Sequence, residues 1–220
     1  VSWDFSGGDW LIAQHYGHAT GFAARHAMWA TELHNAGRWL ALAAWAALLV
    51  WAVWPRPRSH APARATTVTA ALMVVVAALL VAVVKQSSGA ECPWSLQAFG
   101  GAQPYLSHWT AWSPRAGAGQ CFPSGHASAA LAFLPVYGLW RGQHRRLARI
   151  TLWVTLALGA VYGWLQVARG AHFVSHVLWS AWLCWLVALA SSWLMPPLLL
   201  RWTPWRISVP PRAQPSAISP

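Results

Sequence analysis

The chain has 220 residues, of which 57% are hydrophobic and 9% charged, with 19 tryptophans and a formal net charge of +11. That balance excludes an ordinary soluble domain. A basic chain is a candidate for binding nucleic acid, but here the arginines fall in short loops between apolar runs and read as determinants of membrane topology. No nucleic-acid partner is expected.

Residues 1–37 mix Trp, Gly and His with modest hydrophobicity and suit interfacial helices lying on a membrane. A bilayer core takes about 20 apolar residues of helix, with about 17 to 25 tolerated. Residues 39–54 are short for this but extend through Arg38, whose side chain can snorkel to the interface. Residues 65–84 meet the requirement without a charge, as do 150–168 and 177–200, the last marked by Pro196-Pro197. Residues 122–140 begin in a Pro-Ser-Gly-His turn and contain Pro135, where a kink is predicted. The predicted fold class is therefore all-α, a polytopic transmembrane helix bundle with five spans. It divides into a non-cytoplasmic interfacial segment (1–37), a transmembrane domain (38–202) and a Pro- and Ser-rich tail (203–220) expected to be a disordered cytoplasmic extension.

The charges orient the spans. Arg56, Arg58 and Arg64 fall in one loop, Arg141, Arg145, Arg146 and Arg149 in another, and Arg201, Arg206 and Arg212 in the tail. The positive-inside rule makes all three cytoplasmic and puts 1–37, 85–121 and 169–176 on the other side. A first residue, Val1, on that side implies a sixth helix upstream. Cys92 and Cys121 flank the long exported loop, in the oxidising compartment of a bacterial inner-membrane protein. A disulfide between them is expected, against the alternative of two unpaired thiols, and would be worth about 3–4 kcal/mol in the chain-entropy model. Cys184, inside a span, reads as a small core residue.

The chemistry is concentrated at the exported ends. Cys121-Phe122-Pro123-Ser124-Gly125-His126 opens one span, Arg169-Gly170-Ala171-His172 precedes another, and Lys85, the chain's single lysine, ends a third. Cations that bind phosphoryl oxygens, one histidine that attacks phosphorus and another that protonates the leaving group form a set suited to phosphate. Their position at membrane-segment ends points to a lipid substrate, a lipid phosphate held in the bilayer. His34, His108 and Arg115 read as surface or headgroup-contact residues, and the tryptophans as interface anchors or helix packing.

These residues resemble the PAP2 superfamily, the type 2 phosphatidic acid phosphatases. Its first motif, a lysine followed by Arg-Pro, is similar to Lys85 with Cys92-Pro93, cysteine standing for arginine. Its second motif is present as Pro123-Ser124-Gly125-His126. Its third aligns on His172, which puts Gln166 at the arginine position and His176 at the aspartate position; the resemblance spans about residues 38–195. It implies that His172 forms a phosphohistidine and that His126 is the acid and base. It also implies that Lys85, Arg169 and the backbone and hydroxyl of Ser124-Gly125 hold the phosphoryl oxygens, without metal or other cofactor. Arg169, one helical turn beyond Gln166, is read as a relocated arginine. The role of His176, which can accept a hydrogen bond but brings no negative charge, is open among ligand, orienting partner and bystander. Glu91, Asp4, Asp9 and Glu32 are the remaining acids for that role.

The expected activity is hydrolysis of a lipid phosphate or diphosphate headgroup at the non-cytoplasmic face of a bacterial inner membrane. The alternatives are a lipid-to-lipid phosphotransferase, a degenerate lipid-binding member, and a metal or haem protein built on the i, i+4 pair His172 and His176.

Overall fold

The computed structural model describes residues 3, 6–55, 64–110, 112, 117, 119–142 and 144–202, with side chains through residue 193 of the last helix. Arg56, Arg58, Arg115, Asp4 and the tail 203–220 lie outside the described residues.

The chain enters through α1 (Gly8–Tyr16) and a two-residue hairpin in which Gly17 pairs with Phe22 and His18 with Gly21. Among the described residues four long helices follow: α2 (Met28–Val53), α3 (Arg64–Ser87), α6 (Arg145–Ala168) and α7 (Val174–Trp202). All four are long and apolar enough to cross a membrane, with mean hydropathies of 1.6, 2.8, 1.5 and 1.5 over their best windows. Between α3 and α6 lie α4 (Gly125–Leu131) and α5 (Tyr137–Trp140).

The predicted fifth span, 122–140, is thus not one helix. It breaks after Leu131 into a 3-10 turn over Leu134–Val136 before α5 resumes. Pro135 has no N–H to continue the ladder, so the tighter turn takes its place. The segment still lies inside the bundle: Leu131, Ala132 and Leu134 pack with Val74, Ala77 and Val81 of α3 and with Cys184 and Val187 of α7. The first long helix also differs from its expected bounds. It begins at Met28, so residues assigned to an interfacial segment form its first turns, and the division at 37–38 falls within a helix. Hydropathy dips there because His34 and Arg38 turn toward a polar site.

The bundle is sorted in the reverse sense to a soluble protein. Large apolar side chains such as Leu79, Val83, Trp153, Val161 and Trp193 point outward, whereas Thr67, Ala70, Ala71, Ser180 and Ser191 are buried. Lipid tails are as apolar as leucine, so helices in a bilayer associate through close packing of small residues rather than hydrophobic exclusion. A Cβ added to Gly159 would strike Leu131, and one added to Gly163 would strike Val177, which is how α6 draws close to α4 and α7.

A second cluster closes one end. Ala13, Phe22, Leu96, Phe99 and Phe173 join the N-terminal segment to the α3–α4 connection and to the short link before α7. The N-terminal segment therefore sits on this end of the bundle. It also fixes α7, because Asp9 Oδ1 accepts from the Ser175 backbone N–H at 2.8 Å and satisfies one of the donors that every helix start leaves open.

Candidate active site

Three local structures bring the polar side chains to that end. The first is the termination of α6. Gly170 takes a left-handed φ of 70°, its N–H bonds to Val167 O, and the Ala171 N–H bonds to Gln166 O. This paired closure reverses the chain at a glycine. It leaves Arg169 on the last turn of α6 and puts His172 immediately ahead of α7.

The second is the turn into α4. Ser124, fully buried, is the N-cap and its hydroxyl oxygen accepts from the Ala127 N–H at 3.5 Å. The Ser124 N–H donates to His176 O at 3.1 Å, and the Ser180 hydroxyl lies 2.9 Å from both Ser124 O and His176 O. The Pro-Ser-Gly-His turn is thereby docked on the first turns of α7, with His126 projecting from the second residue of α4.

The third is the link from α3. Cys92 and Cys121 form a disulfide with Cα atoms 5.2 Å apart, and the Cys121 N–H bonds to Ala90 O at 2.9 Å. Lys85, near the end of α3, donates to the backbone oxygen of Gln120. The Lys85 stem passes Gly125, where an added Cβ would lie in ordinary contact with Lys85 Cδ at 3.6 Å.

His172 is buried, and its Nδ1 lies 2.7 Å from the carbonyl oxygen of Cys121. A carbonyl can only accept, so Nδ1 carries the proton and Nε2 keeps its lone pair. Burial pushes the pKa of His172 well below its ordinary value. Neighbouring His176, Lys85 and His126 lower it further, while the bond to Cys121 opposes them. The ring is therefore neutral at physiological pH.

His176 stands behind it. Their ring centroids are 5.8 Å apart, and Phe122 and Phe173 meet the His176 ring edge-on at 5.3 and 5.4 Å. The Cys121 carbonyl also faces His176. The aligned aspartate position is therefore filled by a buried aromatic-cage residue, and the carbonyl oxygen of Cys121 orients His172 instead. Glu32 is exposed on α2, and Asp9 is committed to Ser175 and to the Trp3 indole. Among the described residues, no group of three or more His, Cys, Asp and Glu is arranged to hold a metal ion.

Arg169 and Gln166 line the other flank, with 9% and 1% of their surface exposed. Arg169 Nε and Nη1 and Gln166 Nε2 are buried without a partner. Such donors are costly to leave unmade, which makes this flank a candidate place for an anion. Arg169 and Lys85 both act electrostatically on His126. The structure thus brings His126, His172, His176, Lys85, Ser124, Gly125, Gln166 and Arg169 to one end of the bundle. Sequence reasoning missed two participants: the Cys121 carbonyl, which has no residue signature, and His34 of α2, whose ring stacks on His126 with centroids 3.7 Å apart.

Fold and site together define a helical membrane protein with a cluster of histidine, lysine and arginine side chains at one end. The PAP2 superfamily matches over residues 66–199, more than half of the chain, and the chain belongs to it. The superfamily generally comprises phosphatases with membrane-spanning helices, which supports a phosphoric-ester hydrolase kind of activity. No curated protein and no solved structure matches the chain.

Proposed function

We propose that the protein hydrolyses a lipid phosphate or lipid diphosphate at the non-cytoplasmic face of a bacterial inner membrane, through a phosphohistidine on His172. The observation that carries this reading is the bond from His172 Nδ1 to Cys121 O, which leaves Nε2 free beside His126 and Lys85.

The Nε2 lone pair attacks phosphorus, and the P–O bond to the lipid breaks as the N–P bond forms. His126 gives a proton to the departing oxygen. Lys85 and Arg169 take up the charge that collects on the remaining phosphoryl oxygens. Water then attacks phosphorus and gives its proton to His126. The N–P bond breaks, its electron pair returns to Nε2, and inorganic phosphate leaves.

A cavity of about 480 Å³ supports the lipid assignment. It runs between α2, α3 and α4, with Arg38, Lys85 and Gly125 at its polar end and Trp45, Val74 and Phe133 along its apolar length. A headgroup at Lys85 would leave its chain in this slot. Arg141, Arg145, Arg146 and Arg149 lie around the opposite end of the bundle, which supports an exported site under the positive-inside rule.

The test is phosphate release from a panel of lipid phosphates and diphosphates in chelator, comparing wild type with His172→Ala. Release by the wild type alone is expected. Equal release by both proteins would refute the nucleophile. Phosphate transfer only in the presence of a second lipid would replace hydrolysis with transfer.

A further inference from the structure

His34 lies on α2, far in sequence from the motifs, yet its ring stacks on His126 with centroids 3.7 Å apart and planes inclined by 30°. The Gln166 side chain reaches the His34 ring, and Arg169 and Arg38 both act on it electrostatically. Nδ1 of His34 is buried and has no partner among the described residues. The same is true of Gln166 Nε2 and of Arg169 Nε and Nη1. Four unpartnered nitrogens from α2 and the end of α6 therefore lie around the His34–His126 pair, and Arg169 acts electrostatically on both rings.

We propose that His34 is a third histidine of the substrate site, donating from Nδ1 to an oxygen of the phosphoryl group on which His172 and His126 act. The inference rests on the phosphate reading above. A side-chain amide oxygen can accept from the far nitrogen of an imidazole, and a ring so held beside an anion donates from the near one as an imidazolium. Gln166, at the place aligned with the family's arginine, thus holds the His34 ring, which adds a donor beside Arg169. Stacking on His126 fixes where the ring sits. The ligand class is the tetrahedral oxyanion of a phosphate ester or of free phosphate, bound by His34 and Arg169 together.

The test is titration of the detergent-solubilised full chain with inorganic phosphate by calorimetry, which needs no turnover. His34→Phe keeps a ring against His126 but removes the donor, and phosphate affinity should fall about tenfold or more, as for the loss of a hydrogen bond to a charged group. His34→Gln keeps a donor and should stay within about threefold of wild type. Unchanged affinity in His34→Phe would overturn the proposal, since stacking alone would then suffice. A tenfold loss in His34→Gln would overturn it too, and that arm stands if the phenylalanine is not accommodated. Phosphate release from lipid substrates is scored separately. A wild type that binds phosphate through His34 but releases none would sink the phosphatase reading and leave this contact intact.

Discussion

The Nδ1 of His172 and the carbonyl oxygen of Cys121 lie 2.7 Å apart across 51 residues of chain. That contact gives a backbone group the orienting task of a carboxylate. It supplies no negative charge to stabilise an imidazolium, so the site favours the neutral form of the ring.

A pH profile checks this. His172 titrates below the ordinary imidazole value, first because it is buried and then because His176, Lys85 and His126 face it. Protonation removes the lone pair, so kcat/KM should hold as pH falls to about 6.5 and drop only below it. An acid limb centred at or above that value would contradict the burial argument. Stability follows the same sign: the unfolded chain binds the proton more readily, so the contribution of His172 is complete above about 6.5. It is lost as pH falls from there through the folded-state pKa.

Replacing Arg169 separates binding from folding. Its Nε and Nη1 are buried and unpartnered without ligand, so Arg169→Gln should lower kcat/KM by about 100-fold while leaving the ligand-free melting temperature unchanged or higher. Arg169→Lys should recover only part of the activity, because an ammonium lacks the planar fork. A large fall in melting temperature with near-normal kinetics would make the arginine a structural element.

The Cys92–Cys121 bond ties the end of α3 to the residue that orients His172. Replacing both cysteines with serine should cost about 3–4 kcal/mol of stability and also reduce kcat. Thermal melts and initial rates on the same preparation check the pair of effects. A destabilised protein with undiminished kcat would show that the Cys121 carbonyl keeps its place without the crosslink.

Gly170→Ala probes the turn that presents Arg169 and His172. The position has a φ of 70°, and a Cβ would strike the Phe22 ring. Left-handed strain and overpacking together should cost about 2 kcal/mol or more. Melting should fall by about 4 °C or more, and activity should fall with it. An unchanged melting temperature would mean that this closure is not what holds α6 to α7.

Much of the site was legible because its members carry their chemistry locally. Pro123-Ser124-Gly125-His126, Lys85 and Arg169-Gly170-Ala171-His172 each sit at the end of an apolar run, and run lengths with loop charges put them at one end of a bundle. The broken segment was legible in part, since Pro135 predicts a kink but not the 3-10 turn of Leu134–Val136. The start of α2 was not. His34 and Arg38 lower the hydropathy of its first turns, and only the contact of His34 with His126 shows that those turns belong to the bundle.

Composition, the lengths of the apolar runs and the placement of arginines determined that this chain is a helical membrane protein with basic groups gathered at one end. Those are properties of single segments meeting a bilayer, and no tertiary contact is needed to read them. Tertiary structure alone decided which group orients His172, what stands at His176 and that His34 lies on His126. Each of those depends on a backbone carbonyl or a ring brought close by packing between distant helices, and neither leaves a mark in residue order.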